Sequence, residues 1–283
     1  MTRPFALLAA GGTGGHVFPA EALAAELTAR GWRLGLVTDK RGQTYGGTLG
    51  SLETFRISAG GIAGRGLLAR ARAVLELGLG VLQARAILKR LRPAVVVGFG
   101  GYASVPTMVA AAALGMPTVI HEQNGVLGRA NRLLAAKARA IAISYPQVAL
   151  VAEETKAKLR HTGMPVRPAV AALKDVAYPG LDATGPIRLV ALGGSQGARI
   201  LSEVVPAALT LLPQAVQARI EIAQQCRPED LEGVRAAYAG SPIKAILDSF
   251  FADIPERLAA AHLVIARSGA STMAEPVSYT HLA

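Results

Sequence analysis

A single cysteine, Cys226, among 283 residues makes an intrachain disulfide impossible. It closes the apolar run around Ile220 and Ile222, where a buried inert thiol is expected, and a reducing compartment fits. Aromatic residues are only 5% of the chain and charged residues 17%, while 51% is hydrophobic and the mean hydropathy is +0.36. That composition excludes a disordered or low-complexity chain, and 31 glycines point to a loop-rich α/β protein large enough for two domains. Metal-ligand spacing is missing. The five histidines are scattered, His121-Glu122 has no second histidine at helical spacing, and no Asp lies two positions from another. Phe5 to Ala10 is too short for a signal-peptide core and no cleavage pattern follows it, so no export signal is read.

Acidic residues are the scarcer sign, 19 against 30 Lys and Arg, and the net charge of +11 suggests a polyanionic partner: nucleic acid, an acidic membrane face or phosphorylated small molecules. From Pro93 to Ile120 there is no charge at all. Gly98, Gly100, Gly101, Pro106, Gly115 and Pro117 would break a membrane-spanning helix repeatedly, so the span parses better as strand, glycine loop, helix from near Pro106, and strand.

Short apolar runs alternate with Ala/Leu-rich segments. Strands are expected at Phe5–Ala9, Arg33–Thr38, Ala94–Val97, Thr118–Ile120, Ala140–Ile143, Ile187–Ala191, Arg219–Ala223 and Leu263–Ala266. Helices are expected at Ala20–Arg30, Gln83–Leu91, Thr107–Leu114, Arg129–Ala135, Ile200–Leu212 and Pro228–Ala239. Alternation of this kind implies parallel sheets covered on both faces, with ligands beyond the carboxyl ends of the strands. A strand-to-glycine-loop opening occurs twice, at Gly11-Gly12-Thr13-Gly14-Gly15-His16 and Gly193-Gly194-Ser195-Gln196-Gly197, separated by a hinge from Gly163 to Pro168. Two domains are expected, 1–163 and 164–283, facing each other across a cleft.

Glycines after a strand let backbone approach a ligand, and the next helix offers free N–H groups to an anion. A phosphate cradle and a tight turn without ligand fit either loop equally. Neither loop matches G-x-G-x-x-G or a Walker motif, although Asp39 stands where a dinucleotide-binding acid could. Ser195 has the spacing of a nucleophile elbow, but only His262 or His281 follows as a partner base. His16 reads as a general base or as a plain first-turn histidine; its company is His121-Glu122-Gln123-Asn124 at another strand end. Without a metal, a leaving diphosphate needs helix N-termini and arginines such as Arg167 or Arg199.

Basic residues cluster. Arg56, Arg65, Arg70, Arg72, Arg85, Lys89, Arg90 and Arg92 oppose Glu76 alone, with leucines and valines interleaved, and Arg129, Arg132, Lys137 and Arg139 add a second run. Cations among apolar residues suit an anionic membrane surface, or a solvated face beside core leucines. Nucleic acid fits less well, since stacking aromatics are absent from both runs.

These stretches jointly resemble the bacterial peptidoglycan glycosyltransferases of the MurG family. They are Gly11 to Pro19, Gly98-Phe99-Gly100-Gly101-Tyr102, His121 to Asn124, Met164-Pro165-Val166-Arg167, Gly193 to Arg199 and Arg267 to Glu275, in family order. The resemblance implies the GT-B fold of glycosyltransferase family 28, two Rossmann-like domains with acceptor on the first and UDP-sugar on the second. It implies metal- and cofactor-free inverting transfer of N-acetylglucosamine from UDP-N-acetylglucosamine to lipid I, giving lipid II. The implied location is the cytoplasmic face of the cell membrane, peripherally bound to anionic lipid, with cell-wall synthesis and division proteins as partners and no nucleic acid. His16 is the implied base. Thr13, Gly14 and Gly15 would lie near the donor sugar and acceptor diphosphate, Asn124 on the N-acetylglucosamine, Arg167 and Ser195 on the diphosphate region and Phe251 on the uracil. Ala270, Ser271, Thr272, Met273, Ala274 and Glu275 would form the nucleotide-binding turn, with Glu275 on the ribose hydroxyls. The alternatives are another GT-B glycolipid transferase and a non-catalytic nucleotide- or NAD-binding protein. Family members continue past Glu275 with a full helix, a strand, a glutamine pair and a closing helix. Here Pro276 is expected to stop the helix after about one turn and 277–283 resembles none of that, so the second domain reads as incomplete, with weak stability and little turnover expected.

Overall fold

The structure, a computed structural model, describes residues 3–12, 14–39, 47–59, 67–194 and 197–277. The chain divides into two compact units, Met1–Arg167 and Pro168–Ala283.

The first unit runs β1 (Phe5–Ala9), α1 (Gly14–Ala29), β2 (Arg33–Asp39), α2 (Gly47–Gly50), β3 (Glu53–Ile57), α3 (Leu67–Leu91), β4 (Val95–Gly98), α4 (Gly101–Ala113), β5 (Thr118–Glu122), α5 (Arg129–Ala135), β6 (Ala140–Ile143) and β7 (Leu159–His161). Its seven strands form one sheet in the order β3-β2-β1-β4-β5-β6-β7, every pair parallel. Adjacent residues of β1 serve opposite faces. Leu7 packs in one core with Val37, Val96 and Met108, while Leu8 packs in another with Leu36, Val97 and Phe99. A strand with apolar neighbours above and below needs the unbroken Ala-Leu-Leu-Ala run that the sequence supplies. Chain order reverses between β1 and β4, and such a switch point opens a crevice at the strands' carboxyl ends.

The second unit begins with a helical turn, α6 (Pro168–Ala171), followed by β8 (Ile187–Leu192), α7 (Arg199–Thr210), α8 (Gln214–Gln217), β9 (Ile220–Gln225), α9 (Leu231–Tyr238), β10 (Lys244–Asp248), α10 (Ile254–Ala260), β11 (Leu263–Ala266) and α11 (Ala270–Val277). The sheet order is β10-β9-β8-β11, again all parallel, with the switch between β8 and β11. Leu189 and Ala191 face one core together with Ile222 and the buried Cys226; Val190 and Leu192 face a second beneath Leu258. Burial pushes the Cys226 thiol pKa up, which suits an inert sulfur.

Several elements differ from expectation. Helices α1 and α4 start six residues earlier than expected and run through Pro19 and Pro106. In each the proline is the sixth helical residue, near enough to the N-terminus that only the bond to the second residue's carbonyl is forgone. Helix α3 begins at Leu67, not Gln83, and takes in Arg70, Arg72, Arg85, Lys89 and Arg90 of the basic run, while Arg56 lies in β3 and Arg65 lies outside the described residues. Its Gly80 is a contact residue, since a Cβ there would overlap the Ser58 carbonyl oxygen. Pro276 does not stop α11, which continues to Val277. The edge strands β3, β7 and β10 were not expected. Among the described residues no helix is long and apolar enough to cross a membrane.

Candidate active site

After β1 the backbone turns through Gly11 and Gly12 into α1. A Cβ on Gly11 would lie 2.7 Å from the Ala103 Cβ and 2.8 Å from Thr38 Oγ1, and Gly12 has φ 86°, so both positions demand glycine. After β4 the same device recurs, with Gly100 and Gly101 at φ 85° and 71° before α4. Both helices therefore point their N-termini into the switch-point crevice of the first sheet. Neither carries an acid in its first turn, and the Gly100 cap of α4 makes no side-chain hydrogen bond. Uncapped N–H groups and the positive end of a helix dipole suit an outside anion.

His16 sits where these two loops meet. Its Nδ1 lies 2.8 Å from the Phe99 carbonyl oxygen, and its ring packs against Gly100 and Gly101. A carbonyl oxygen has no proton to give, so Nδ1–H is the donor. The neutral ring then carries its lone pair on Nε2, the arrangement of a general base held by its other nitrogen.

The same carbonyl accepts a second hydrogen bond from Gln123 Nε2 at 2.8 Å, and that amide also donates to His121 Nδ1 at 3.0 Å. His121 is 3% exposed, with its Nε2 3.4 Å from Ser144 Oγ. Its pKa is lowered to about 4, chiefly by burial; the Gly163 backbone and Glu122 oppose the shift and His16 adds to it. His121 is thus a neutral buried brace. Glu122, 1% exposed, accepts four N–H bonds: from Asn124 N and Nδ2 on one oxygen, and from Gly128 N and Asn131 Nδ2 on the other. Arg167 stacks over the Phe18 ring of α1 at 4.3 Å, two residues from His16.

The first unit therefore gathers Gly14, Gly15 and His16 at the switch point, places Asn124 exposed on the loop after β5, and lays Arg167 against α1. In the second unit, the loop after β8 is closed on itself by Gly197 N to Gly194 O at 2.9 Å. A Cβ on Gly193 would come within 2.6 Å of the Gly197 carbonyl carbon. Gln225 ties three strand ends, accepting from Gly193 N at 3.2 Å and donating to the Ser249 carbonyl at 3.2 Å. Helix α11 carries Ala270, Ser271, Thr272, Met273, Ala274 and the buried Glu275 across the switch point from that loop. The Phe251 ring is buried with the Arg257 guanidinium 4.5 Å above it, so a face of that ring is already occupied. Thr13 and Ser195 lie outside the described residues. Among the described residues no group of three His, Cys, Asp or Glu is placed to hold a metal ion.

The sequence reading placed Glu122 and Gln123 in the polar cluster beside His16 without giving them a role, and it did not pick out the Phe99 carbonyl or Asn131. A carbonyl leaves no signal in a sequence. Asn131 does, for it shares the buried stripe of α5 with Leu134 and Ala135 at helical spacing, where a polar side chain needs a partner.

Residues 6–143 match the family model described as the glycosyltransferase family 28 N-terminal domain, and residues 188–282 match the glycosyltransferase family 28 C-terminal domain. A relative from Paramagnetospirillum magneticum is 70% identical over 273 residues, covering 96% of this chain and 74% of its own length. One from Rhodospirillum rubrum is 60% identical, covering 95% of this chain and 68% of its own. Both are named UDP-N-acetylglucosamine--N-acetylmuramyl-(pentapeptide) pyrophosphoryl-undecaprenol N-acetylglucosamine transferase. Among solved structures, that of Acinetobacter baumannii MurG aligns with TM-score 0.66 at 28% identity, over 95% of this chain and 73% of that one.

Proposed function

The chain belongs to glycosyltransferase family 28, and from that premise we propose that it transfers N-acetylglucosamine from UDP-N-acetylglucosamine to lipid I, forming lipid II. Its two parallel-sheet units are the Rossmann-like halves of a GT-B enzyme. The acceptor hydroxyl attacks the anomeric carbon as the bond to UDP breaks on the opposite side, and His16 Nε2 takes the hydroxyl proton. One bond forms, one breaks, and UDP leaves with the electron pair. The observation that carries this chemistry is the His16 ring, in the first turn of α1, held by Nδ1–H on the Phe99 carbonyl beside the uncapped N-terminus of α4.

In this reading Thr13, Gly14 and Gly15 lie near the donor sugar and acceptor diphosphate, and Asn124 contacts the sugar. Arg167 and Ser195 serve the diphosphate region, Phe251 the uracil, and the turn from Ala270 to Glu275 holds the nucleotide. The domains would part near residue 163, acceptor on the first and donor on the second. Supporting a peripheral place at an anionic membrane, α3 exposes Val74, Leu75, Leu79 and Leu82 beside Arg72, Arg85 and Lys89. Helix α4 packs against both α3 and α5, and α5 exposes Leu133 with Arg129 and Arg132.

The test is thermal protection and transfer together. UDP should raise the melting temperature and NAD should not, and labelled N-acetylglucosamine should pass from its UDP carrier to a lipid I analogue. Protection by NAD and not UDP would replace this reading with the dinucleotide-binding one.

A further inference from the structure

We propose that Asn131 and Glu122 are positioning residues that aim the Asn124 amide, turning its oxygen outward to accept a hydrogen bond from the transferred sugar. The proposal rests on the functional reading above and deepens it.

Glu122 Oε1 accepts from both the backbone N–H and the side-chain Nδ2–H of Asn124, at 3.0 and 3.1 Å. The Asn124 side chain is therefore anchored by its nitrogen, and its Oδ1 is the end presented by an exposed residue. Glu122 is anchored in turn. Its Oε2 accepts from Gly128 N and from Asn131 Nδ2, both at 2.8 Å. The second hydrogen on Asn131 Nδ2 goes to the His121 carbonyl at 3.1 Å. Two acceptors facing one nitrogen fix the Asn131 amide, and that orientation leaves its Oδ1 buried without a hydrogen-bond partner. A side chain shaped for stability alone would satisfy both ends; this one gives up an acceptor to hold Glu122.

All four contacts on Glu122 are donors, so only an acceptor-only group fits. Glutamine in its place would set an NH2 against N–H groups whichever way it turned. An outward-facing amide oxygen requires a donor, which a sugar hydroxyl or acetamido N–H supplies and a diphosphate oxygen does not. The chain of contacts from Asn131 to Asn124 would thus act on the sugar half of the donor and leave the nucleotide half unaffected.

The experiment is calorimetric titration of the full chain with UDP-N-acetylglucosamine and with UDP, for wild type, Asn131→Ala and Glu122→Gln, alongside hydrogen exchange over residues 122–128. Wild type is expected to bind the sugar nucleotide more tightly than UDP. Both variants should lose about tenfold in affinity for the sugar nucleotide, the worth of one hydrogen bond, with UDP affinity kept and exchange at 124 and 128 accelerated. Should either variant fail to fold, Asn124→Asp serves. It is isosteric and exposed, keeps acceptor oxygens, and cannot donate to Glu122, so it should show the same selective loss. Unchanged preference for the sugar nucleotide in the folded variants overturns the proposal while leaving the functional reading intact. A wild-type chain that binds neither ligand, or both alike, overturns that reading and the proposal with it.

Discussion

Acidification should weaken the fold through one buried imidazole. His121 is held at about 4 by burial, where an imidazole in the unfolded chain has 6.5, so between those values the unfolded chain binds the extra proton and the folded chain does not. Stability contributed by this difference is full above pH 6.5, declines as pH falls toward 4, and is level below. The slope is about 1.4 kcal/mol per pH unit, giving roughly 2 kcal/mol between pH 6.5 and 5 and roughly 3 kcal/mol over the whole window. Carboxylates titrate over part of that window too, so the measurement is a comparison. Urea unfolding of wild type and His121→Gln at several pH values should give curves that converge as pH falls, with the variant less stable at pH 7 and flatter below it. Glutamine keeps a polar side chain beside Gln123 and Ser144 but has no proton to take up. Parallel curves would refute the reasoning, because they would mean that His121 titrates alike in the folded and unfolded chains.

Three further outcomes follow from the geometry. Gly193→Ala should lower the unfolding free energy strongly, by on the order of 2 kcal/mol or more in urea unfolding, because its Cβ would meet the Gly197 backbone, whereas Gly125→Ala, with open space around it, should leave it within about 0.5 kcal/mol. His16→Ala should cut transfer by roughly 100-fold to 10,000-fold with little change in UDP-N-acetylglucosamine affinity; intact turnover would remove His16 from the role of base. Leu75→Ser with Leu79→Ser should weaken flotation with vesicles of anionic phospholipid, and added salt should weaken wild-type binding as well. Binding that ignores both changes would take α3 out of the membrane contact.

How much of this was legible in the sequence depended on where an element lies in its sheet. The central strands β1, β2, β4 and β8 carry apolar residues on both faces and stood out as short hydrophobic runs. The edge strands β3, β7 and β10 mix charges with apolar residues, as in Glu53-Thr54-Phe55-Arg56-Ile57 and Lys244-Ala245-Ile246-Leu247-Asp248, so their period was hidden. Helix starts were misplaced where glycine and proline, ordinarily breakers, are kept for a loop that approaches its neighbours closely, as at Gly14 to Pro19 and Gly101 to Pro106. The polar residues at the end of β5 were visible as a cluster. Their division of labour was not, since it turns on which oxygen of Glu122 faces which donor, and that depends on Gly128 and Asn131 arriving from α5 and the loop before it.

The lone thiol, sealed at 1% exposure within the second unit, doubles as a native spectator of that unit's breathing. A colourless probe that turns yellow on reaching sulfur would register only excursions that crack open the packing around Ile220, Ile222 and Val234, and would be blind to motion in the other half. No engineered label is needed to ask which half of the molecule loosens first, or whether nucleotide slows one of them.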